Sequence, residues 1–162
     1  MYNIGEYVVT VTNGICEISE EIDKEVEGTV KSYYLLIPEN DKSSKLFIPK
    51  EIASKRMRKI MDYEEATELI EKFDSIPEVT IHNEKMCEKE YKEAMLSREP
   101  EKVAAVAKTI HKRRLERINQ GKKTTTIDEK YFKIAFDMLS SELSYSLGCD
   151  ISDIKQKINE LM

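Results

Sequence analysis

Tyr7-Val8-Val9-Thr10-Val11-Thr12-Asn13-Gly14-Ile15-Cys16-Glu17-Ile18 is the stretch that decides the fold of the first part of the chain. β-branched and aromatic residues crowd its first half, Asn13-Gly14 supplies two residues that tolerate positive φ, and an apolar run then resumes. The reading is a β-hairpin. Further along, Gly28 marks another turn, Tyr33-Tyr34-Leu35-Leu36-Ile37 forms an apolar run inside Lys31 to Ile37, and Pro38 stops it. The polar stretch Glu39 to Ser44 leads into a strand over Lys45 to Ile48 that Pro49 bounds, and Met57 to Ile60 offers a short fifth strand. Short strands with tight turns over residues 1–61 predict a small β-barrel of the Tudor/SH3-like kind.

From Asp62 the hydrophobic period changes from two to about 3.6, so residues 62–162 are expected to form a helical domain and the fold class is α+β. Asp62 with Glu65 reads as a capping box opening a helix from about Tyr63 to Phe73. Cys87, Tyr91, Ala94 and Met95 share a face of a second helix. Pro100 suits the first position of a third, whose buried stripe is Val103, Val106, Ala107 and Ile110, and Gly121 ends it. Thr125 with Asp128, or Thr126 with Glu129, caps a fourth helix with a core stripe of Phe132, Phe136, Leu139, Leu143 and Leu147. Gly148 stops that helix, and Asp150 is placed to cap a last one with Ile151, Ile154, Ile158 and Leu161.

The net charge of −5 argues against a protein that coats nucleic acid over its whole surface, but the charge is unevenly spread. Glu6, Glu17, Glu20, Glu21, Asp23, Glu25 and Glu27 face Lys24 alone in the first thirty residues, whereas Lys102 to Lys133 is strongly basic. Cys16, Cys87 and Cys149 are widely spaced and form no C-x-x-C pair, which fits reduced thiols better than a disulfide framework or a zinc site. Residues 1–6 lack a basic-then-apolar leader, and no run of about 18 apolar residues occurs, so a cytoplasmic protein with no membrane partner is expected.

No catalytic constellation stands out, and no enzyme activity, metal or cofactor is expected. Gly121-Lys122-Lys123-Thr124 lacks the glycine that a phosphate-binding P-loop needs five positions earlier, where Glu116 stands, and it joins two helices. His82 and His111 have no partner at metal-ligand or triad spacing. Cys87 falls on an apolar stripe and Cys16 within a strand, positions of structural thiols. The charged runs Glu64-Glu65 and Glu88 to Glu93 read as solvated helix faces.

Two surfaces remain. On the third helix Lys108 and Lys112 point away from the apolar stripe with Arg113 on its flank, and Lys122, Lys123, Lys130 and Lys133 follow; such a face is either merely solvated or a footprint for phosphate. Arg114 and Arg117 fall toward the apolar side. The strand of Lys45, Leu46, Phe47, Ile48 and Pro49 reads as a sheet edge, either open to another chain's strand or protected by lysine and proline.

Ile4-Gly5-Glu6-Tyr7-Val8-Val9, Asn13-Gly14-Ile15-Cys16, Tyr33-Tyr34-Leu35-Leu36-Ile37 and Ile48-Pro49-Lys50 resemble the amino-terminal module of the CarD/CdnL family. That module is shared with the RNA-polymerase-interacting domain of transcription-repair coupling factor. Glu90-Tyr91-Lys92-Glu93-Ala94, Lys108-Thr109-Ile110, Gly121-Lys122-Lys123, Asp128-Glu129-Lys130-Tyr131-Phe132 and Glu142-Leu143 resemble a clostridial-type branch of CarD-like proteins. The resemblance implies a non-enzymatic transcription regulator. Its barrel would pair the strand Lys45-Leu46-Phe47-Ile48-Pro49 with the β subunit of RNA polymerase, and its helical domain would lie on promoter DNA, with Lys92, Lys108, Lys112, Arg113, Lys122, Lys123 and Lys130 as DNA-facing residues. Many members carry a wedge tryptophan near the start of the helix that here begins around Glu84, whereas this chain has none; Phe47 stands where relatives can place a basic residue. From a different class, the alternative is a protein-interaction adaptor whose barrel binds a partner strand unrelated to transcription.

Overall fold

The computed structural model describes residues 1–10 and 12–162; Val11, which the sequence reading puts at the end of the first strand, lies outside them. The chain divides into two compact units, Met1–Ile60 and Met61–Met162, so the division falls one residue before the 61/62 boundary read from the sequence. Met61 goes with the second unit because its N–H donates to Glu142 Oε1 (2.9 Å) and its carbonyl accepts from Ser146 Oγ (2.7 Å).

In the first unit, β1 (Tyr7–Thr10), β2 (Gly14–Val26), β3 (Thr29–Pro38), β4 (Leu46–Pro49) and β5 (Met57–Lys59) form one antiparallel sheet in the order β4-β3-β2-β1-β5. A single helical turn, α1 (Ala53–Arg56), precedes β5. β4 and β5 are the outer strands and do not pair with each other among the described residues, so the expected barrel is left open along that seam. The hairpin read from Asn13-Gly14 forms, with Gly14 at φ +63° paired to Thr10. Val8, Cys16, Ile18, Tyr34, Leu36, Ile48, Ala53 and Met57 make its core. Burying each large aliphatic side chain here stabilises the unit by roughly 1.5–3 kcal/mol.

β2 runs far beyond the Ile15 to Ile18 segment legible in the sequence, through the acidic residues Glu20–Glu25. Its extension is imposed by pairing with β3 as far as Val26↔Thr29. The two-residue loop Glu27-Gly28, at φ +52° and +76°, has the positive angles of the tight turn that matches strand twist.

The second unit contains α2 (Tyr63–Glu71), α3 (Cys87–Leu96), α4 (Pro100–Asn119), α5 (Thr126–Leu147) and α6 (Ile151–Leu161). The capping box at Asp62 and Glu65 is present in both directions. α2 is shorter than the Tyr63 to Phe73 helix expected, because Phe73–Ser75 tightens into a 3-10 turn. Thr125, of the two candidate caps, starts α5 by accepting from the Asp128 N–H (3.1 Å), and Gly148 ends it in the left-handed conformation. Asp150 stands at the N-cap of α6 but makes no side-chain capping bond.

α5 buries Asp128, Tyr131, Ala135, Leu139, Ser140, Glu142 and Leu143; Leu139 and Leu143 were expected, whereas Phe132, Phe136 and Leu147 are only partly buried against the core. Ala135 lies at the centre, where the small side chain permits close approach of neighbouring helices, and the two phenylalanines flank it. Their rings stack at 5.4 Å and are covered by Arg114 (4.4 Å from Phe132) and Lys155 (5.9 Å from Phe136), so the bulky residues are sheathed by cations at the margin of the core.

Candidate functional site: a bare strand edge and a basic helical face

β4 is built by the turn before it. Asp41 accepts from the side chains of Ser43 and Ser44 and from the Ser43 N–H, and these bonds, the Ser43 hydroxyl foremost, hold its carboxyl below the usual range. The chain then enters an extended stretch at Leu46, not Lys45, which stays exposed and outside the strand. Leu46, Phe47, Ile48 and Pro49 lie opposite Leu36, Leu35, Tyr34 and Tyr33. Alternation turns Ile48 into the core and leaves Phe47 43% exposed. Lys24 Nζ lies 3.6 Å from the Phe47 ring centroid and 6.0 Å from that of Tyr33. Lys50, after the strand, pairs with Glu21 and leans on the Tyr34 ring at 5.1 Å.

Because β4 is outermost, one side of its main chain has no partner among the described residues. Pro49 has no N–H, and the N–H groups of Leu46, Phe47 and Ile48 alternate between β3 and the open side, so only part of them faces outward. An edge that presents unpaired main-chain groups beside a large exposed ring is suited to adding a strand from another chain.

In the second unit, two residues expected to face DNA are committed elsewhere. Lys108 was expected to point to solvent; its ammonium instead donates to the carbonyls of Phe73 (2.8 Å), Asp74 (3.2 Å) and Ile76 (2.9 Å). It closes the chain end after α2, where the tight turn leaves carbonyls without helical partners. Lys108→Met should therefore cost about 1–3 kcal/mol of stability, read by urea unfolding, because three acceptors lose a charged donor.

Arg113 is the second correction. Its Nε donates to Asp128 Oδ2 (3.1 Å), and Nη2 reaches both carboxylate oxygens of Glu84 at 2.9 and 3.0 Å. Its side chain is only 17% exposed, and Asp128 is fully buried. Burial alone would pull the Arg113 pKa down, but the bonds to Asp128 and Glu84 outweigh it and raise the value, so the guanidinium is permanently charged. Asp128 also accepts from Tyr91 Oη at 2.8 Å, and the Cys87 thiol lies 3.8 Å from the same oxygen. Burial, then Cys87 and Asp128, push the Tyr91 hydroxyl up, so it stays protonated and donating. One carboxylate thus ties α3, α4 and α5 together.

The remaining lysines fall into two groups. Lys112 sits with Glu78 at 3.5 Å. Lys92 reaches Glu88 at 3.5 Å, the same Glu88 oxygen accepts from Tyr131 Oη at 3.2 Å, and Lys130 lies 5.5 Å from the Tyr131 ring. Folding therefore brings Lys92 and Lys130 to one place on α3 and α5. Lys122 and Lys123 are exposed in the loop that opens α5, and with Lys130 they have no acidic partner among the described residues. Arg114 bonds Glu129 (3.1 Å), and Arg117 donates to the Lys123 carbonyl (2.8 Å), which fixes the loop.

Asp128 was read only as a capping partner, and its role in the core was missed. The signal was present: it continues the Tyr131, Ala135, Leu139 rhythm backwards by one turn. Cys16 and Cys87 are buried, and burial raises both thiols. His82 is a surface residue beside Glu90, and burial, with Arg114 nearby, lowers His111. Among the described residues no helix is long and apolar enough to cross a membrane.

The two units thus present an open antiparallel sheet whose outer strand is unpaired along one side, and a helical unit with exposed lysines that have no acidic partner among the described residues. Residues 2–61 match the family model described as the CarD-like/TRCF RID domain, a match that covers the first unit and stops there. The first unit is thus similar to the CarD-like/TRCF RID module, a family that suggests an RNA-polymerase-interacting, transcription-related protein. No curated protein matches the chain.

Proposed function

We propose that the protein is a non-enzymatic transcription regulator that docks through the outer edge of β4 on the β subunit of RNA polymerase and sets lysines of its helical unit against promoter DNA. The observation that carries the reading is the position of β4: a module of the polymerase-interacting kind leaves one strand edge bare beside Phe47. The direct test is capture of a purified polymerase β-subunit lobe by the full-length protein, with retention expected. No retention would reject the docking reading.

The DNA contact is weak by itself. A chain of net charge −5 gains little from free encounter with phosphate, but once docked on polymerase it holds its lysines at high effective concentration near the duplex. Lys122, Lys123 and Lys130 are the residues we assign to phosphate, because among the described residues no carboxylate pairs with them. Lys92 and Lys112 are auxiliary: their surface ion pairs are worth about 0–1 kcal/mol and are readily exchanged for phosphate. The turn before α3 presents Glu84 bound to Arg113, and α3 opens on a buried Cys87, so no aromatic wedge stands there and the contact with DNA is assigned to the lysines.

Replacing Lys122, Lys123 and Lys130 together by Glu should leave polymerase capture unchanged. It should weaken the ternary complex with promoter DNA by about tenfold or more and flatten its dependence on salt. Equal DNA retention by the triple variant and the parent over a salt series would remove these lysines from the assignment.

A further inference from the structure

Beyond Tyr33 the sheet narrows to two strands. β1 accompanies β2 only as far as Glu17, and β4 accompanies β3 only between Leu36 and Tyr33. β2 and β3 continue alone to Val26 and Thr29, forming a ribbon whose residues 23–31 are all exposed. Thr29, Val30, Lys31 and Ser32 therefore carry a second unpaired main-chain edge, on the side of β3 that β4 occupies farther along, and Val30 is 68% exposed.

Within the ribbon Asp23, Glu25 and Glu27 stand against Lys24 and Lys31, and Glu20 and Glu21 lie just before it, opposite Leu35 and Tyr34. Glu21 is paired with Lys50, Asp23 accepts from Ser32 Oγ (2.6 Å), and Lys24 rests over Phe47. Glu20, Glu25 and Glu27 hold no ion pair among the described residues. With Lys24 drawn to Phe47, the turn end of the ribbon sets Glu25 and Glu27 against Lys31 alone, a balance that favours a cationic over an anionic polypeptide along this edge.

We propose that the ribbon is a second grip on the partner that β4 engages: a lysine- or arginine-bearing extended segment of that partner lies along Thr29–Ser32, its cations met by Glu25 and Glu27. Main-chain pairing supplies the fit and the carboxylates select for positive charge. The inference rests on the docking reading above, and it adds what β4 alone lacks, a charge-dependent term.

The test measures binding of the full-length protein to purified core RNA polymerase over a salt series. It compares the parent with Glu25→Lys/Glu27→Lys, the milder Glu25→Gln/Glu27→Gln, and Phe47→Ser. All four glutamate changes lie at exposed positions, and thermal unfolding should be unchanged. The Lys pair should bind about tenfold more weakly at low salt with a shallower salt dependence, the Gln pair should fall between it and the parent, and Phe47→Ser should weaken binding at every salt concentration without altering the slope. Parent-like binding by both ribbon variants, with Phe47→Ser still impaired, overturns the ribbon grip and leaves docking intact. Absence of binding by the parent itself overturns both.

Discussion

Phe47→Ser is expected to weaken capture of RNA polymerase by about 10- to 100-fold while leaving the fold intact. The ring is the one large apolar side chain of β4 that faces away from the core, and it lies on the strand whose main chain is free. Covering such a ring by a partner is worth roughly 1.5–3 kcal/mol, which corresponds to that range of affinity. The free protein loses little: Phe47 is outside the core cluster, and its contact with Lys24 is an exposed cation–π pair worth about 0.5–1 kcal/mol. Titration of labelled protein with the β-subunit lobe checks the affinity, and a thermal melt checks the fold. Unchanged affinity in Phe47→Ser would move the interface off this edge.

Asp128→Ala should destabilise the helical unit by about 3–5 kcal/mol, since it strands a guanidinium that is mostly out of water and removes the acceptor of a buried tyrosine. Asp128→Asn, which retains an oxygen for Tyr91 while losing the charge opposite Arg113, should fall well short of that loss. Glu84 is exposed and holds the outer side of Arg113, so Glu84→Gln should cost far less than either. Urea unfolding of the three variants orders them. A loss under about 1 kcal/mol in Asp128→Ala would show that the three helices are held by apolar packing alone.

Much of the architecture was legible because its signals are local. The hairpin at Asn13-Gly14, the capping box at Asp62, the Pro100 start and the Gly148 stop are each written within four residues, and all occur where read. The long reach of β2 was not legible, since Glu20 to Glu25 carry no strand-like alternation and are held extended by β3. Of the stripe expected on α5, Leu139 and Leu143 are buried, whereas Phe132 and Phe136 stand at the margin of the core and are only partly buried. Arg114 and Lys155 cover their rings, and the smaller Ala135 is buried in their place.

The candidate site divides along the same line. That a strand runs over Lys45 to Ile48 followed from its residues and from Pro49, and it forms over Leu46–Pro49; the concentration of lysine and arginine after Pro100 was equally legible. That the strand lies at a sheet edge was read from the polar loop and the proline, and the order β4-β3-β2-β1-β5 bears this out; which strand covers its inner side is a matter of long-range pairing. Which cations are free is likewise invisible to a helical count. Lys108 is drawn to carbonyls 32 to 35 residues away, and Arg113 to Glu84 and to the buried Asp128, whereas Lys122, Lys123 and Lys130 meet no acid among the described residues. Periodicity assigns a residue to a face of its own element; the charges that face it come from other elements, and only the assembled tertiary structure supplies them.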